Sequence, residues 1–189
     1  MSTKTPFELR GQAFEASYFQ KKEQDLVDGL RKVFHKKLSK AEIREATGIT
    51  DEELLDRLAE LELNGEMMTA FELLPVIEVA WADGQPDAKT VRAVLEAGEA
   101  HGVQAGTKSR EMFEQRLSTG PTADLRKSWF MYAGSLKQTL TPAQLLEFRD
   151  DLLGFCKSVA EASGGILGLV LKTSAREQRV IDEVTKALS

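Results

Sequence analysis

Val79-Ala80-Trp81-Ala82-Asp83-Gly84 returns eighty residues later as Val159-Ala160-Glu161-Ala162-Ser163-Gly164. After a gap in each case, Asp87-Ala88-Lys89-Thr90-Val91-Arg92-Ala93-Val94 is matched by Ser174-Ala175-Arg176-Glu177-Gln178-Arg179-Val180-Ile181. Both copies have the same order: an apolar helix running into Ala-x-Gly, a break, a side chain able to cap a helix, then an amphipathic helix. Repetition of this kind reports architecture, because a unit that cannot cover its own apolar face needs its neighbour to do so. The expected fold is all-α, a compact pseudo-symmetric helical bundle.

Working outward, helical signals persist and no segment alternates with period two. Pro6 opens a long helix to about residue 37, with Phe7, Phe14, Tyr18, Leu26, Leu30, Val33 and Phe34 on related faces. Ser39 with Glu42, and Thr50 with Glu53, have the spacing of capping boxes. They predict a short helix ending at Gly48 and another reaching about residue 63. Beyond the Asn64-Gly65 break, helices are expected over 68–82, 87–101, 108–117, 122–137, 142–161 and 174–188. Pro121 and Pro142 are expected in first helical turns. Residues 1–66 then form a charged N-terminal helical extension packed on the body, and residues 67–189 form the body with the repeat.

The chain has 189 residues, 42% of them apolar and 29% charged, the proportions of an ordinary globular protein. One cysteine, Cys156, allows no disulfide within the chain and points to a buried thiol in a reducing, cytoplasmic setting. No apolar run approaches the roughly 18 residues of a membrane span, and the first residues lack a secretory signal. Residues 21–40 hold seven basic and three acidic side chains, whereas residues 42–66 hold nine acidic and two basic. With a net charge of −5, most of the surface repels nucleic acid. Residues 39–63 have a helix–turn–helix rhythm, but Asp51, Glu52, Glu53 and Asp56 make the second helix too acidic to dock on DNA. A protein partner is expected instead, with the N-terminal helix and the acidic hairpin as its surfaces.

Chemistry is sparse. Asp83 and Asp87 flank one break and could begin an oxygen-rich cation site, which needs more ligands than two carboxylates supply. The simpler reading makes Gly84 a left-handed helix end and Asp87 an N-cap. Glu177 has the same kind of explanation, as the acid of a capping box with Ser174. No metal and no cofactor is therefore assigned; the alternative is a divalent-metal site of Asp83, Asp87 and Glu177, with Asp83 and Glu177 meeting across the axis between the halves. The glycine-rich stretch 164–173 fails the spacing of a phosphate loop, because apolar residues separate Gly168 from Lys172. It reads as filler between the halves, or, if exposed, as a peripheral lipid or partner contact. His35 and His101 have no acid, thiol or second histidine at ligand spacing, and no Ser or Cys stands beside a base, so an enzyme is not expected.

The Val-Ala-Trp-Ala-Asp-Gly pattern before a capped helix, repeated near the C-terminus, resembles the TerB-like family of tellurite-resistance proteins over roughly residues 70–189. That resemblance implies an all-helical pseudo-symmetric domain, a link to stress responses and membrane-associated complexes, and acidic residues that hold a divalent metal. The family places a glutamate seven residues after the aspartate. Here Asp83 is followed at that distance by Thr90, and Glu177 is preceded by Val170, so each half keeps one carboxylate. The implied role is a non-catalytic interaction or scaffold protein, with a divalent-metal-binding stress sensor as alternative. A third reading, an inhibitor or accessory subunit acting through the N-terminal helix, follows from a fainter similarity of Arg10-Gly11-Gln12-Ala13-Phe14-Glu15 to the zeta-type inhibitor of bacterial ATP synthase.

Overall fold

A computed structural model describes the backbone of residues 6–163 and 173–189, and the side chains of residues 18, 20–163 and 173–189. The glycine-rich stretch 164–172 lies outside the described residues. Among those described, every regular element is helical.

Helix α1 spans Pro6–Thr47. The separate short helix expected after Ser39 is absent, because nothing between Lys37 and Thr47 interrupts the backbone ladder and Ser39 is carried as an interior residue. The helix stops at Gly48, whose φ of +73° suits glycine. Asp51, rather than Thr50, caps α2 (Glu52–Glu60), its carboxylate accepting the Leu54 N–H at 3.1 Å. A single 3-10 turn (Gly65–Met67) leads to α3 (Met68–Glu72) and α4 (Leu74–Trp81). These two were expected as one helix. Pro75 has no N–H to donate back to Phe71, so the ladder breaks at Leu73 and restarts. The chain continues through α5 (Ala88–Ala100), α6 (Lys108–Thr119), α7 (Ala123–Thr139), α8 (Pro142–Ser163) and α9 (Ala175–Ala187). Pro142 opens α8 as expected, whereas Pro121 lies just outside α7, which Thr122 caps.

The chain divides into two compact units, residues 1–38 and 39–189. This corrects the boundary expected at residue 66: Ile43, Ile49, Leu54, Leu55, Leu58 and Leu63 belong to the main hydrophobic core. At the centre of the second unit is α4. All of Leu74 to Ala80 is buried, as befits a helix apolar on every side.

The repeat is visible in how helices pair. Helix α4 packs on α8 and α9, α5 packs on α8, and the sequential pairs α4–α5 and α8–α9 also pack. Exchanging α4 with α8 and α5 with α9 maps this set of packings onto itself. The second helix of each half also starts with the same device. Asp87 Oδ1 accepts the Thr90 N–H at 2.8 Å, and Ser174 Oγ accepts the Glu177 N–H at 3.1 Å. Thr90 and Glu177 are both 2% exposed. Acid and hydroxyl have traded places between the two caps.

Candidate functional site

Three places merit attention, beginning with the acidic corner. Asp87 is committed to its cap: its Oδ1 also accepts the Thr90 hydroxyl at 2.8 Å, and these bonds hold its carboxyl below the ordinary range. Glu177 turns back on its own half, accepting the Ser174 N–H at 2.7 Å and the Ser163 hydroxyl. Asp83 is exposed, and its ion-pair partner is Arg176 at 3.8 Å. The expected meeting of Asp83 with Glu177 is thus replaced by Asp83 beside Arg176, one residue earlier. A guanidinium stands where a shared cation was imagined. No group of three or more His, Cys, Asp or Glu side chains with metal-binding geometry occurs among the described residues.

The second place is a half-buried polar seam that no spacing in the sequence announced. Glu72 ends α3, and three side chains from other helices converge on it. Tyr132 donates its hydroxyl to Oε1, His101 Nε2 lies 3.3 Å from Oε2, and the Trp129 indole N–H donates to the Glu72 carbonyl at 3.1 Å. Burial and the adjacent carboxylate push the Tyr132 phenol far above its ordinary value, so it remains a neutral donor. Nearby, Glu78 is buried on α4 and accepts Arg126 Nε–H at 2.9 Å, while Arg126 also reaches Glu183 and lies over the Phe130 ring. Burial raises the Glu78 carboxyl even though the Arg126 charge opposes the shift. Cys156 is fully buried, and burial pushes its thiol up to about 12. A thiol so held has little thiolate near neutral pH, the form a nucleophile needs. The seam ties helices together and presents no activated nucleophile.

A cleft of about 330 Å³ is lined by Leu63, Met67, Met112, Arg116 and Leu125, with Glu62 among its polar residues. Arg116 Nε–H is buried there without an acceptor among the described residues. Lys108 and Glu111 add both signs of charge.

The third place is α1 itself. Leu26, Leu30, Val33 and Phe34 are 62–68% exposed, and Val27 and Leu38 are also exposed. At 100° per residue, Leu26, Val27, Leu30, Val33 and Phe34 fall within an arc of about 120°. Large apolar side chains scattered singly over a surface need no explanation, but a contiguous stripe of them does. Lys22, Arg31 and Lys36 stand around this one. Described helices include none long and apolar enough to cross a membrane.

No protein-family model matches this chain, and no characterised protein or solved structure is significantly similar to it. The function must be argued from these three places. Of them, the seam has its polar groups satisfied internally. The stripe on α1 is apolar surface left exposed.

Proposed function

We propose that this protein is a non-catalytic, cytoplasmic interaction or scaffold protein of the tellurite-resistance helical type, active under stress, and that its N-terminal helix is the surface it offers. One observation carries the reading: a run of large apolar side chains from Leu26 to Phe34, exposed along one side of α1. Keeping that much apolar surface in water costs roughly 25 cal/mol per Å², a cost recovered when a partner covers it. The exchange symmetry of helix pairings supports the family resemblance. The buried, high-pKa thiol of Cys156 and the internally satisfied Glu72 cluster favour a non-catalytic role. The metal-sensor alternative takes second place, since Asp83 has an arginine beside it and Asp87 and Glu177 are spent on caps.

The test is site-specific photo-crosslinking in the native cell. Val33→p-benzoylphenylalanine should yield covalent protein adducts, and Lys21→p-benzoylphenylalanine, on the opposite side of the same helix, should yield few. Equal labelling from both positions, or no protein adduct from position 33, overturns the reading.

A further inference from the structure

The stripe on α1 has the same order from either end. With Leu30 as centre, Val27 and Val33 stand three residues away on either side, Leu26 and Phe34 four, and Glu23 and Lys37 seven. All seven lie on one side of the helix, within an arc of about 120°. The apolar five are exposed, and so are the two charges that close the stripe.

Those closing charges have opposite sign, which makes the surface complementary to its own reverse. An antiparallel copy centred on Leu30 sets Leu26 against Phe34, Val27 against Val33, and each Glu23 against a Lys37. The acid on the docking face, Glu23, therefore maps onto a lysine. A parallel copy would set Glu23 against Glu23 and Lys37 against Lys37. Self-complementarity of this kind is what a two-fold, isologous interface requires. The stripe is about 21 Å long from Glu23 to Lys37, and its i, i+3, i+4, i+7 spacing is that of helices packing side by side.

We propose that the occupant of this face is a second copy of the chain, paired antiparallel through residues 23–37 about a two-fold axis at Leu30. The proposal rests on the reading of α1 as a docking face and adds to it the occupant and the register. Hydrophobic residues supply the attraction, and the two Glu23–Lys37 contacts select the antiparallel arrangement over the parallel one.

Sedimentation of the full chain, followed over roughly 1–100 µM, tests this. Wild type should form a concentration-dependent dimer. E23K gives a stripe closed by two cations and K37E one closed by two anions, so each alone should weaken dimerisation about tenfold, as two exposed attractions become repulsions. An equimolar mixture of E23K and K37E should dimerise as wild type does, and so should the double variant E23K/K37E. Positions 23 and 37 are both exposed, and circular dichroism should show all variants folded alike. A wild type that stays monomeric, single variants that dimerise as wild type does, or a mixture no stronger than its components would each overturn the proposal. A monomeric chain that still cross-links to another protein from position 33 sinks only the self-pairing. Absence of every adduct removes the docking face as well.

Discussion

Glu78 shows how a single residue can be costly alone and acceptable with its partner. It is 7% exposed, and burial holds its carboxyl above the ordinary value despite Arg126 beside it. For an acid whose folded pKa is raised, the sign is fixed. Its unfavourable contribution is absent below the ordinary carboxylate range, grows as pH rises through that range, and is complete above the folded value. Removing the arginine deepens that contribution, because an uncompensated buried charge is worse than a paired one. Arg126→Met should therefore destabilise the protein by ~1–3 kcal/mol at neutral pH, less than for a fully buried pair because Arg126 is 39% exposed and screened by solvent, with the deficit shrinking as Glu78 is protonated on acidification. Urea unfolding at about pH 7.5 and about pH 4.5 measures both numbers, the lower value lying near the ordinary glutamate pKa of about 4.3, where a carboxyl raised by burial is largely protonated. A deficit equal at the two values would assign it to the lost stacking on Phe130 instead. This pairing was not legible in the sequence. Glu78 and Arg126 are 48 residues apart, and Glu72 is 29 from His101 and 60 from Tyr132. Spacing rules reach along one helix and not across four.

At the scale of elements, what was legible is what chain neighbours decide. Asp87 and Ser174 cap the helices they precede, each accepting the N–H three residues on. The repeat too could be read, since its cap and apolar faces recur in order. Continuity was harder to read. Ser39 with Glu42 has the letters of a cap inside an unbroken helix, while the Pro75 break was lost within an apolar run. Packing between elements was not legible at all, and glycines show why. Gly98 on α5 leaves room for Phe113 on α6; a Cβ there would lie 2.7 Å from the ring's Cε1. Phe113 is fully buried and cannot swing away. Alanine gains about 1 kcal/mol in helix propensity, yet overpacking costs ~1–3 kcal/mol, so Gly98→Ala should be net destabilising. Gly134 on α7 and Gly154 on α8 have nothing within 4 Å of an added Cβ. Gly134→Ala should stabilise by up to about 1 kcal/mol. Melting temperatures of the two variants should move in opposite directions, and a Gly98→Ala that melts above wild type would show the ring to be freer than its burial suggests.

Across the whole molecule, the decisive line falls inside a helix. Residues 39–189 form one compact unit, and the described hydrophobic core begins within it at Ile43. Residues 18, 20–35, 37 and 38 are exposed apart from a partly covered Asp28, and none of them joins that core. A chain begun at Ser39 should thus fold cooperatively, melting within about 3 °C of the intact protein, because little of the unfolding entropy and enthalpy of the core is touched. It should no longer self-associate. The cut also changes the work of one residue. In the intact protein Ser39 is interior to α1, where alanine is the better helix former, so Ser39→Ala should be neutral or stabilising by up to ~0.5 kcal/mol. At the start of the shortened chain, Ser39 and Glu42 regain the spacing of a capping box with free N–H groups to satisfy. There the same Ser39→Ala change should cost ~1 kcal/mol. Denaturant unfolding of the four proteins gives both differences. Opposite signs would locate the boundary of the folding unit at residue 39, whereas a cost in both backgrounds would mean that the serine is held by contacts the cut leaves intact.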